Sequence, residues 1–221
     1  MKKKHLAFLL MLLFLLLGSG LILYPVFSDW YMDQVQSEIQ LTYNETIQNL
    51  DAEILEAALA DAHAYNKALF EHTIDESIKP YEEQLNISGN GIMGYVEIPA
   101  IDVLLPIYHY CTDAVMAKGA GHMEQTSLPV GGKNTHSVIS AHSGMASAKM
   151  FSELDKLQAV DLIYLHILGQ TLTYEVFETV TVLPSDVERI QIEPGKDLLT
   201  LVTCVPFGVN SHRFLVRASQ D

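Results

Sequence analysis

Cysteine is nearly missing from this chain of 221 residues: only Cys111 and Cys204 occur, and neither stands in a CxxC pair. HExxH is absent too, so two familiar zinc-binding patterns are excluded. A site drawn from His136, His142, His212 and Cys204 would need scattered side chains to converge by accident, and no metal or cofactor is expected. Basic residues are scarce, with 13 Lys and Arg against 27 Asp and Glu and a formal net charge of -14. That balance argues against nucleic acid as a partner, because such binders cluster Lys and Arg on one surface. No internal repeat or low-complexity tract appears, which removes solenoid architectures.

Charge is missing altogether from Leu6 to Phe27, a run that follows Lys2, Lys3 and Lys4. At 1.5 Å per residue a helix of this length crosses a hydrocarbon core of about 30 Å. The lysines hold the short N-terminus in the cytoplasm and leave the remainder outside, with Tyr24, Trp30 and Tyr31 near the outer interface. Gly18, Ser19 and Gly20 are small enough for a signal-peptidase site. The apolar run outlasts an ordinary signal h-region, which favours an uncleaved anchor over residues 1–27.

Residues 28–72 read as an extracellular helical segment. Gly and Pro are absent from Ser28 to Phe70, Ser28 and Asp29 can cap a helix, and Ile54, Leu55, Ala58, Ala62 and Tyr65 recur at helical spacing. That stripe suits packing against the body of the protein. Residues 73–91 contain Pro80 and several Gly and Asn breakers, and read as a lid-like loop or linker. From residue 92 the pattern turns to strands: YVEIPAIDVLLPIYH, SVISA, DLIYLHI, TLTYEVFETVTVL, LLTLVTC and RFLVRA are short and rich in β-branched and aromatic residues. LGQT at 168–171 predicts a hairpin through Gly169, and a single helix is expected around SAKMFSELDKL. Short strands at near-regular spacing with few helices indicate a closed or nearly closed barrel.

Cys204 ends an apolar strand, whereas Cys111 follows Tyr108, His109 and Tyr110 in a loop. Contexts so different argue against a bridge between them, and a free thiol that merely fills space is the bland alternative. A catalytic thiol needs a cationic neighbour or a base. Pro206 and Gly208 lie between Cys204 and Arg213, so the two flanking strands are expected to pair antiparallel and set the guanidinium beside the thiol. A guanidinium is no base, so its work would be to donate hydrogen bonds to an oxyanion or a peptide. For proton transfer, His142 has the best context among nine histidines, just beyond the strand in HSVISAHSGM. His136 stands at the other end of that strand, and His212 would point away from Arg213.

TLVTC at 200–204, Arg213 downstream, an upstream histidine in SAHSG and GYVEIPAIDVLLPIY at 94–108 together resemble the sortase family. EQTSLPVGGKNTHSVISAHSG, SAKMFSELDKL and VTCVPFGVNSHRFLVRA are similar, more narrowly, to the class C sortases that build pili. The resemblance implies a mainly β fold, a sortase-like closed barrel of about eight strands with few short helices. A transmembrane helix and a helical segment would precede the barrel over 92–221. It further implies a transpeptidase on the outer surface of a Gram-positive cell. Cys204 would attack the Thr-Gly bond of a Leu-Pro-x-Thr-Gly-like sorting signal, His142 would act as acid and then base, and Arg213 would hold the oxyanion. The acceptor in class C is a lysine amine of another pilin; a housekeeping sortase, which uses a cell-wall peptide instead, is the alternative. An anchored binding module with an unused thiol is a third reading.

Three features depart from the family pattern. The lid of class C enzymes is anchored by an Asp-Pro-aromatic or similar triplet, whereas Asp75 is followed here by Glu76 and Ser77. A looser lid would rest Ile74 and Ile78 over the groove, with Asp75 the nearest thing to an anchor beside Arg213 or Cys204. Ser143 stands where Arg often follows the histidine. Many members carry a second transmembrane helix, and none follows the last strand before Asp221.

Overall fold

The computed structural model describes residues 2–144 and 148–220, with side chains from Lys4 onward. Two helices lead into the barrel. Helix α1 runs unbroken over Lys2–Gln48, carrying the apolar run and the following polar segment as one rod. Ser28 and Asp29 therefore lie inside α1 and do not cap a new helix. Pro25 is accommodated within it, and no Gly or Pro follows to stop the helix. The membrane-length stretch leaves its apolar side chains exposed, as Leu21 and Ile22 illustrate at 77% each. This is the one candidate span among the described residues.

Helix α2, Ala52–Glu71, ends at His72 in the left-handed region, where the His72 and Thr73 amides satisfy the last carbonyls. Its apolar stripe packs as expected at Ala58, Ala62 and Tyr65, while Ile54 in the first turn stays 46% exposed.

Eight strands close a barrel: β1 Ile92–Ile98, β2 Val103–His109, β3 Ala120–His122, β4 Thr135–Ser140, β5 Leu162–Ile167, β6 Gln170–Val182, β7 Asp197–Val205 and β8 His212–Gln220. Around the barrel they are ordered β1-β2-β3-β4-β7-β8-β6-β5. Two pairs are parallel, β2 with β3 and β4 with β7. The β5–β6 hairpin turns through Leu168 and Gly169, both at positive φ (49° and 78°), the geometry a two-residue turn needs to match strand twist. Strand β3, too short to show alternation, was not among the expected strands. YVEIPAIDVLLPIYH divides at a 3₁₀ turn, Pro99–Ile101, into β1 and β2. A short helix α3, Asp113–Met116, capped by the Thr112 hydroxyl, precedes β3.

The helix expected around SAKMFSELDKL is only a 3₁₀ turn, Leu154–Lys156; the first residue of that stretch, Ser147, lies outside the described residues. Phe151, Leu154 and Leu157 are all buried, and a repeat of three matches a 3₁₀ turn better than the 3.6 of an α-helix.

The main core fills the barrel and extends under both helices. Tyr43 of α1 locks helix to barrel: its hydroxyl donates to the Met93 carbonyl at 3.2 Å and accepts from the Leu168 amide at 2.9 Å. Asn66 of α2 bonds both backbone groups of Leu128, at 2.7 and 3.0 Å.

Candidate active site

β4, β7 and β8 lie side by side, and alternation divides their side chains between two faces. Ile139, Leu199, Leu201, Val216 and Ala218 point into the main core. Val138, Val202 and Leu215 point outward and, with Val182 of β6, form a second small buried cluster edged by Met123, Val180 and Ile190. Cys204 lies two residues beyond Val202 and Arg213 two before Leu215, so both belong to this outer face. They are direct partners across the antiparallel β7–β8 ladder, on strands about 5 Å apart. His212 pairs with Val205 and faces the other way.

His142 reaches the same place through a parallel pair. Ser140 is opposite Val202 at the last β4–β7 position. The connection continues past the strand: the Ala141 amide donates to Val202 O at 3.2 Å, the Thr203 hydroxyl to Ala141 O at 2.9 Å, and the Ser143 hydroxyl to Cys204 O at 2.5 Å. Extending the register two residues beyond Ser140 brings His142 level with Cys204. His142, Cys204 and Arg213 thus form one row across three neighbouring chain segments, all half-buried.

Two loops brace the row. The Phe151 amide donates to His142 O at 3.0 Å, and the Gly144 amide to the Ser152 hydroxyl at 2.8 Å. Gly144 has φ +70°, and a Cβ there would fall 2.0 Å from the Phe207 ring, so only glycine lets the β7–β8 loop close over the histidine loop. Arg213 spends Nη1 on Asn210 O and His212 O, at 3.0 and 3.1 Å, which fixes the guanidinium while the donors on Nε and Nη2 are not part of those bonds.

Further along this face the side chains are structural. His136 is fully buried, with Nε2 2.7 Å from the Thr200 hydroxyl and Nδ1 2.7 Å from Gln191 O. Arg217 donates to Glu178 at 2.7 Å and Glu193 at 2.5 Å, tying the β6–β7 connection to the sheet. A cavity of about 600 Å³ opens beside His136, between Phe70 and His72 of the α2 end, Glu124 and Thr126, and Gln191. It lies about 20 Å from the Cys204 row, six residues up the strand.

The other thiol has a different setting. Both cysteines are free, and burial pushes Cys111 up to about 11 while its Sγ donates to Gly121 O at 3.2 Å.

In the lid-like segment, Asp75 accepts from the Ser77 hydroxyl and amide, at 2.6 and 2.8 Å, and these bonds hold its carboxyl below the usual range. Among the described residues no hydrogen bond or ion pair joins Asp75 to Arg213 or Cys204. Ile74 is exposed, whereas Ile78 packs against the main core. Sequence analysis marks Ser143 only as a departure and does not reach the contact of Gly144 with Phe207; AHSG turn chemistry gives no sign of which distant carbonyl or ring it will meet.

The closed barrel and its edge row define a known class. Residues 96–221 match the family model described as Sortase domain. The chain is similar to solved sortase C from Clostridium perfringens in a structure with the C-terminal cell wall sorting motif: 40% identity, 84% of this chain and 98% of that one covered, TM-score 0.76. It is also similar to sortase C from Streptococcus pneumoniae, at 41% identity, covering 83% and 96%, with a TM-score of 0.73. Sortase A of Streptococcus agalactiae is 34% identical over 116 residues, 51% of this chain, and the match spans only about half (47%) of that relative. The chain belongs to the sortase family.

Proposed function

We propose that this chain is a membrane-anchored class C sortase that joins pilin subunits through lysine. The reading rests on one observation above the others, the register that makes Cys204 and Arg213 direct partners with His142 level beside them. The Cys204 thiolate attacks the threonine carbonyl carbon of an LPxTG-like signal. Arg213 donates hydrogen bonds to the oxyanion that forms. As the tetrahedral intermediate collapses, the Thr-Gly C–N bond breaks, His142 gives its proton to the departing glycine amine, and a thioester remains on Cys204. A pilin lysine amine then attacks the thioester carbonyl, His142 takes up the amine's proton, and Cys204 leaves as thiolate with an isopeptide bond formed. Similarity to solved class C enzymes, one of them described for its pilin substrate specificity, supports the pilin acceptor. Similarity to sortase A supports the housekeeping alternative.

The test offers a purified LPxTG-bearing substrate with either a lysine-bearing pilin or a cell-wall peptide amine, and identifies the linkage by mass spectrometry. Lysine isopeptide is the expected product; linkage to the cell-wall amine alone would transfer the enzyme to the housekeeping reading. In the same assay His142→Ala stops turnover while the chain stays folded. Arg213→Lys, which keeps charge but loses the planar fork, remains slower by about 10²-fold or more.

A further inference from the structure

α1 fixes which end of the barrel approaches the lipid. It lies antiparallel to β1: Tyr43 contacts Met93 near the strand's start, and Asp33 comes within electrostatic reach of Asp102, just past the turn at its end. β4 and β7 run the same way as β1, because β1 opposes β2, β2 parallels β3, β3 opposes β4 and β4 parallels β7. The end carrying His142 and Cys204 is therefore the end where α1 emerges from its apolar run.

The separation is short. From Phe27, the last residue of that run, to Asp33 is about 9 Å of helix rise. From α1 a continuous path of contacts leads to the catalytic row. Asp33 lies within electrostatic reach of Lys149, and the Gln36 amide bonds the Met150 sulfur at 3.9 Å. The next two residues, Phe151 and Ser152, hold His142 and Gly144, and Phe207 rests on Gly144. Beyond that contact the β7–β8 loop is a tight turn, with the Val209 and Asn210 amides both bonded to Pro206 O. Its tip exposes two large apolar side chains, Phe207 at 71% and Val209 at 70%, and Leu183, just past the end of β6, adds a third at 56%. An aromatic and two aliphatic side chains held out at one end, next to an anchor, match the composition of a shallow lipid contact. Asp29, Asp33 and Asp102 share this end with Lys149 and Arg213, so it carries no excess of positive charge and the contact is apolar rather than an attraction to anionic headgroups.

We propose that the β7–β8 loop, through Phe207 and Val209, dips into the outer membrane interface, so that the catalytic row works close to the lipid surface. This rests on the reading of α1 as a membrane anchor. The experiment uses the full chain in phosphatidylcholine vesicles whose acyl chains carry bromine close to the headgroup, with tryptophan fluorescence as readout. Trp30, the single tryptophan, reports anchor insertion in the parent chain. Phe207→Trp and Val209→Trp, each in a Trp30→Phe background, report the loop, and Gln170→Trp reports the opposite end of the barrel. Both loop probes should be quenched by about twofold or more, as for side chains at the acyl boundary, with Gln170→Trp unaffected. Quenched Trp30 with neither loop probe quenched overturns the proposal and leaves the anchor standing. Unquenched Trp30 removes the anchor and the proposal with it. Equal quenching of Gln170→Trp also overturns it, because no particular end would then face the lipid.

Discussion

The two faces of the β4–β7–β8 sheet are built from the same strands to opposite purposes. Inward, Ile139, Leu199, Leu201, Val216 and Ala218 are all fully buried hydrocarbon. Outward, the same strands carry Thr200, Cys204, Arg213 and Arg217 among a few aliphatics. Hydrocarbon packed on one side keeps three strands rigid, and that rigidity allows the other side to hold a thiol, a guanidinium and an imidazole at fixed spacing. At the His142–Cys204–Arg213 end of these strands, stability and chemistry are therefore expected to separate by residue parity.

The largest test of that separation is Cys204→Ala, which should lower transpeptidation by at least about 10³-fold, about 4 kcal/mol of barrier, without moving the unfolding midpoint. Cys111→Ala, at a half-buried thiol bonded to Gly121 O, should keep near-normal turnover. Equal loss in both would end the assignment of Cys204 as sole nucleophile. Next in size, Leu201→Ala on the inner face should cost about 3 kcal/mol in denaturant unfolding while activity per folded molecule changes little. A variant that unfolds no more easily than the parent would show that parity does not divide the two roles.

Ser143→Ala removes the bond to Cys204 O without touching the row itself. Losing one hydrogen bond of about 1 kcal/mol should reduce kcat about fivefold with KM nearly unchanged, and Ser143→Thr should restore it. A change in KM alone would mean that Ser143 meets substrate. The smallest effect is expected at Asp75, whose partner is Ser77: Asp75→Ala should change the alkylation rate of Cys204 by less than about fivefold, under about 1 kcal/mol. A much larger acceleration would reveal a latched lid.

Legibility followed distance along the chain. The β7–β8 pairing could be read because Pro206 and Gly208 announce a turn between two apolar runs, and the β5–β6 hairpin because Gly169 does the same. Strand β3 could not, since Ala120, Gly121 and His122 show neither alternation nor β-branching. Ser28 and Asp29 looked like a helix start, but capping residues act only where a helix ends, and nothing ended α1 there. The family motif supplied the name of His142; its alignment with Cys204 comes from a parallel pairing that no local pattern encodes. Ser143 and Phe207 became visible only once β4 lay beside β7.

That parallel pairing also orders the steps by which the enzyme comes into being. Cys204 and Arg213 meet through a short hairpin, which closes early because little chain entropy is lost, whereas Ser143 meets Cys204 across 61 residues. Long-range parallel contacts are the slow ones in folding. An unfinished chain accordingly carries its thiol and guanidinium together but lacks the imidazole, so under the proposed mechanism acyl transfer stays silent until the barrel has closed.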